Sequence, residues 1–153
     1  MRKELEPYRK WFGEWSGSGV SKSNVAVSTR LSIQPRLAGH CIEFVVESMT
    51  PDSSRLVHGV IALLGVDPDS RLRMTVMSTI HGAMAMPVTP EDPGALAIEG
   101  ESVVGNRVVV SLIEEDSGQL MLTSYWKPEL PMDAEPVGFS NVKLSRVTVN
   151  HGD

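Results

Sequence analysis

The sequence predicts an all-β protein, an antiparallel up-and-down barrel of about ten strands with a short N-terminal helix. Three observations lead there. Beyond the first dozen residues no 3.6-residue apolar period survives, and period-two or short continuous apolar runs take over. Those runs are broken at short intervals by Gly, Pro, Asp and Asn, as strands joined by tight turns require. The chain has 153 residues, enough for one domain with one sizeable core. Ten strands in an open meander would leave two edges, which closure removes; a β-sandwich is the alternative.

The elements follow in order. Leu5, Tyr8, Trp11 and Phe12 fall at helical spacing, so residues 3–12 form a short helix or 3₁₀ turn despite Pro7. The first strand runs over 13–20. The second, 25–34, alternates Val25, Val27, Thr29, Leu31 and Ile33 against Ala26, Ser28, Arg30, Ser32 and Gln34. The third spans 41–49, with Ile42, Phe44 and Val46 opposed to Glu43 and Glu47. A turn at Pro51–Ser54 leads to the fourth strand, 56–66, and the turn Asp67-Pro68-Asp69-Ser70 to the fifth, 72–79. The sixth is short, 82–88. After the loop Thr89–Gly94 come 95–104, 107–114 and 119–127, separated by Gly105-Asn106 and Asp116-Ser117-Gly118. A proline-rich connection, 128–136, precedes the tenth run, 138–149, and a polar tail.

Composition excludes several classes. A net charge of −5 argues against nucleic acid as a partner, because phosphate contact needs clustered Lys and Arg. A single cysteine, Cys41, rules out an internal disulfide framework and a multi-cysteine zinc site, and reads as a small buried hydrophobe. There is no His-Glu-x-x-His, EF-hand, phosphate loop or nucleophile elbow, so no metal site and no catalytic residue is assigned. No apolar run is long enough for a membrane-spanning helix, and the charged N-terminus lacks the apolar core of a secretory signal. The expectation is a cytoplasmic protein.

The segment Gly13-Glu14-Trp15-Ser16-Gly17-Ser18-Gly19, following a short helix, resembles the Gly-x-Trp start of calycin β-barrels: the lipocalins, fatty-acid-binding proteins and their bacterial relatives. Its longer Gly-x-Trp-x-Gly-x-Gly form looks most like the ten-stranded nitrobindin-like branch and related bacterial domains of unknown function. The turn Gly65-Val66-Asp67-Pro68 is similar to one in those domains. The resemblance implies a barrel around an internal ligand, with Trp15 plugging one end and Arg146 of the last strand stacked over it. The residues give the same structural roles independently: a large indole whose N–H can reach a backbone acceptor, and Gly17 and Gly19 where backbones approach closely. In the nitrobindin branch a histidine near the C-terminal strands ligates haem. Here the tenth run has no histidine and His151 lies in the tail, so no cofactor is expected, with His58 and His81 the remaining substitutes.

Eight methionines are the compositional oddity. Met74, Met77, Met84, Met86 and Met121 lie in three β runs, and a flexible, polarizable wall of this kind suits varied apolar ligands. Met84 and Met86 share a face, whereas Met74 and Met77 oppose each other. His58 shares a face with Val60, Ala62 and Leu64 and is either a hydrogen-bonded cavity histidine or exposed at the strand end, and His81 sits at a turn that is either solvated or at the barrel mouth. Arg30, Glu43, Glu47, Ser124 and Tyr125 are polar residues within strands. Glu43 and Glu47 lie about 13 Å apart on one face, too far for a carboxylate pair. The expected ligand contacts are His58, Met74, His81, Met84, Met86 and Tyr125. The leading function is a carrier or sensor for a small apolar or amphipathic molecule. The alternatives are an isomerase or hydrolase built on His58, His81, Glu43 and Tyr125, a haem protein, and a homodimer formed through a flat outer face.

Overall fold

The computed structural model describes residues 1–21, 24–89, 94–128 and 131–148. Its ten strands are β1 (Gly13–Val20), β2 (Ala26–Arg36), β3 (Cys41–Met49), β4 (Leu56–Val66), β5 (Leu72–Ser78), β6 (Gly82–Thr89), β7 (Ala95–Glu101), β8 (Asn106–Glu114), β9 (Leu120–Pro128) and β10 (Val137–Arg146). Every strand pairs antiparallel with its sequence neighbours, and β1 pairs with β10 to close the barrel. The predicted runs match these strands closely, with two shortened. The run over 95–104 stops at Glu101, because Ser102 accepts the amide of Gly105 on its carbonyl and Gly105 has φ +79° in the turn. The tenth strand stops at Arg146; of its predicted remainder, Val149 lies outside the described residues, as do His151 and residues 90–93 of the predicted loop.

Lys3–Trp11 forms a 3₁₀ helix. A 3₁₀ helix stacks residues three apart on one line. Leu5, Tyr8 and Trp11 have that spacing, and all three are buried under the barrel floor. Each such side chain stabilises the fold by about 2 kcal/mol relative to exposure, and burial pushes the Tyr8 phenol pKa above its ordinary value. The Trp11 indole N–H donates to Glu114 at 3.2 Å, which ties the helix to β8. The Trp15 indole N–H donates to the Trp11 carbonyl at 2.8 Å.

The Arg146 guanidinium lies 4.3 Å above the Trp15 ring and donates to the carbonyls of Lys10 and Phe12, each at 2.6 Å. It therefore holds the last strand, the first strand and the end of the helix together. Gly17 and Gly19 lie two and four residues beyond Trp15 on the same strand. A Cβ added at Gly17 would meet the Lys143 carbonyl oxygen at 1.8 Å, and one at Gly19 the Asn141 oxygen at 2.1 Å. The seam between β1 and β10 closes only because both positions lack a side chain.

The β6–β7 seam is the thinnest. Among the described residues its register comprises Val88↔Ile98 and Thr89↔Ala97 alone. Pro87, in β6, supplies no amide donor to the ladder. Opposite this stretch Gly100 makes room for Met86, whose Cγ would lie 2.8 Å from a Cβ there.

Candidate ligand-binding site

Alternation sends one side chain of each pair into the barrel. From the helix-capped floor towards the far end, the inward rows are Phe44 and Val46 on β3, Ala62 and Val60 on β4, Met74 and Val76 on β5, and Met86 and Met84 on β6, with Leu122 on β9 and Val142 on β10. Five of these rows carry a polar residue towards the same end: Ser48, His58, Ser78, Ser124 and Ser140. His81, in the turn between β5 and β6, completes the set. Together they line a partly open cavity of about 100 Å³, aliphatic and thioether-walled at the floor and polar at the far end.

The polar groups are largely organised. Thr29 and Ser48 share a hydrogen bond of 2.8 Å. The Ser78 Oγ accepts the amides of Ile80 and His81, each at 3.2 Å, and lies 3.0 Å from His58 Nε2. With its lone pairs turned to two amides, Ser78 has its own proton to give, so it donates to His58 Nε2. The His58 and His81 rings meet edge to face at 6.5 Å, and His81 meets Trp126 at 6.4 Å. No Lys, Arg, Asp or Glu is among the described residues that line the cavity.

Most of the residues singled out from sequence converge here. His58, Met74, His81, Met84 and Met86 all line the cavity. His81 is buried, with 4% of its surface exposed, so it is not a solvated turn residue. Tyr125 is a correction. It sits on the outer face of β9, stacked on Phe139 with ring centroids 5.6 Å apart, and does not line the cavity. Met77 is also outside, 58% exposed, and Met121 pairs across the wall with Lys143 and lies on that outer face. Arg30 and Glu47 are exposed, and Glu43 is held outside by Arg36 at 2.6 Å. Cys41 is buried and free.

Ser48, Ser78 and Ser140, which line the cavity, and Trp126, which meets His81, lie outside the contacts expected from sequence. Their signal is in the sequence: each serine lies towards one end of an otherwise apolar row of inward parity.

The haem implied by the nitrobindin resemblance does not fit these residues. Strand β10 has no histidine to face the cavity. Of the two substitute histidines, His58 has its Nε2 engaged with the Ser78 hydroxyl at 3.0 Å. Among the described residues no group of three His, Cys, Asp or Glu gathers in metal-binding geometry, and no helix is long and apolar enough to cross a membrane.

The fold has a clear relative among solved structures. The crystal structure of Rv2717c from M. tuberculosis matches with a TM-score of 0.66 at 9% sequence identity, covering 97% of this chain and 99% of that one. At that identity the likeness is one of fold. Two further barrels match more loosely. EF1p2_mFAP2b bound to DFHBI has a TM-score of 0.46 at 12% identity, over 95% of this chain and 100% of that one. A redesigned β-barrel, b11L5F_LGL, has 0.40 at 11% identity, over 91% and 93%. No family model and no curated protein sequence matches the chain.

Proposed function

We propose that this protein is a calycin-type carrier or sensor that holds one small, largely apolar molecule inside the barrel. The observation that carries the reading is the cavity inside the barrel, with Met74, Met84 and Met86 in its wall and its polar groups gathered at one end. Ligand pockets combine an apolar lining with a few convergent polar groups in this way. The cavity's size narrows the reading to molecules of about one ring, since a dry apolar cavity of roughly 150 Å³ takes benzene. A long-chain lipid is too large for the cavity as it stands.

Binding is favoured over catalysis for a specific reason. The enzymatic reading needs His58, His81, Glu43 and Tyr125 to converge, and the last two face outward. The His58–Ser78 pair has a structural task in the β5–β6 turn, where Ser78 also holds two backbone amides. The reading keeps the protein in the cytoplasm, where a lone free cysteine stays reduced. A homodimer would use the outer apolar strip of Ile61, Leu63 and Met77 on β4 and β5.

The test is a titration with toluene followed by thermal unfolding, beside an Ala62→Phe variant. Ala62 is buried in the wall, and a phenyl ring there fills the void. Toluene raises the wild-type Tm by the mass-action term and leaves the filled variant unmoved. Equal responses from both proteins, or none from the wild type, would defeat the reading.

A further inference from the structure

Within that ligand-binding reading, we infer that the molecule is a neutral one whose single hydrogen-bonding end group seats on Ser124 and Ser140. These serines are register partners on β9 and β10, and both line the polar end of the cavity. The other serines there are engaged, Ser48 with Thr29 and Ser78 with His58. Ser124 and Ser140 make no hydrogen bond with the described residues. Among those residues no fully buried side-chain polar atom lacks a partner, so these two hydroxyls reach into open space. A hydroxyl can donate and accept, and two side by side offer a ligand hydroxyl or carbonyl both functions at once.

The charge of the lining decides what kind of end group this is. An ionised carboxylate or ammonium gives up its hydration on entering such a site and needs a counter-charge there. The lining supplies none: among the described residues that form it there is no Lys, Arg, Asp or Glu, and His58 Nε2 is already engaged with the Ser78 hydroxyl. The apolar end of the ligand then lies against the thioethers of Met74 and Met86, which suit an aromatic ring. Phenols and small ring alcohols or ketones meet these conditions, and aromatic acids do not.

The experiment compares toluene, phenol and benzoate at neutral pH by calorimetric titration of the full chain, in the wild type and in Ser124→Ala, Ser140→Ala and the double variant. Removing each hydroxyl should weaken phenol about 3- to 10-fold while toluene binds as before or better. Benzoate should bind at least about 100-fold more weakly than phenol. Nuclear Overhauser contacts in the wild type supply a second readout that does not depend on the variants folding. They should place the carbon bearing the phenol hydroxyl beside Ser124 and Ser140 and the opposite ring edge beside the methionines. If toluene binds but phenol is insensitive to both substitutions, lies the other way round, or is matched by benzoate, the end-group assignment is wrong and the cavity reading survives. If none of the three binds, the cavity reading itself is wrong.

Discussion

Alanine at Gly17 and alanine at Gly65 should have opposite effects, although both add one methyl group to a strand glycine. At Gly17 the new Cβ would sit 1.8 Å from the Lys143 carbonyl oxygen and 2.8 Å from its carbon, whereas ordinary contact begins near 3.4 Å. The obstacle is backbone, so no side chain can swing aside. Strands β1 and β10 must part locally by about 1.6 Å. A hydrogen bond stretched that far is broken. Loss of two to four ladder bonds flanking this point, at about 1 kcal/mol each, together with looser packing of Leu144, gives about 3–4 kcal/mol of destabilisation. For a chain of this length that lowers Tm by about 10 °C. At Gly65 nothing lies within 4 Å of the added Cβ and φ is not in the left-handed region. The methyl group there restricts the unfolded chain and raises stability by about 0.4–1 kcal/mol. Calorimetric or urea unfolding of the two variants decides the matter. A Gly17→Ala protein within about 0.5 kcal/mol of the wild type would refute the close approach of β1 and β10.

Further outcomes test other parts of the structure. Arg146→Met removes the stacking on Trp15 and two bonds to backbone carbonyls, and should cost about 2–3 kcal/mol in urea unfolding. Glu114 has its carboxyl held below the usual value of 4.5, chiefly by its hydrogen bond from Lys10 and also by that from Trp11. A depressed folded pKa means that this stability is present above the unfolded value and is lost as pH falls below about 4.5, through the folded value. Unfolding curves between pH 6 and about pH 3 should therefore flatten in Glu114→Gln. Asp52, bonded to Thr50 and Ser54 in the β3–β4 turn, should titrate near pH 2 by carbon-detected NMR. Tyr125→Leu should leave ligand affinity unchanged, because Tyr125 stands on the outer wall.

Where the sequence was legible, the physics was local. Period-two alternation over 25–34 separates the two faces of that strand, and the same parity puts His58 on one face with Val60, Ala62 and Leu64, but only the closed barrel shows that this face turns inward. The three-residue spacing of Leu5, Tyr8 and Trp11 marked the plug. Strand β9 defeated the same reasoning. Its outer face carries Met121 and Tyr125 and its inner face carries Ser124, so neither face reads as the apolar one, and Tyr125 was placed inside. The polar cluster at the far end was legible only in part. Each serine is a single polar residue towards one end of an apolar row, and five strands must be put in register before those residues become neighbours. The tie from Trp11 to Glu114 spans 103 residues and leaves no mark in either local segment.

The closure through Arg146 also sets an order of events during synthesis. Its partners, the carbonyls of Lys10 and Phe12, lie 136 and 134 residues earlier in the chain. Strands β2 to β9 each find a partner in the hairpin next to them, while one edge of β1 stays unpaired until β10 is made. A growing chain therefore carries an exposed edge for nearly its whole translation, and the two glycines that allow the final seam leave two positions of that edge without a side chain. Long-range closure of this kind is slow relative to hairpin formation. Folding of this barrel should end with the same contact that holds its two ends together.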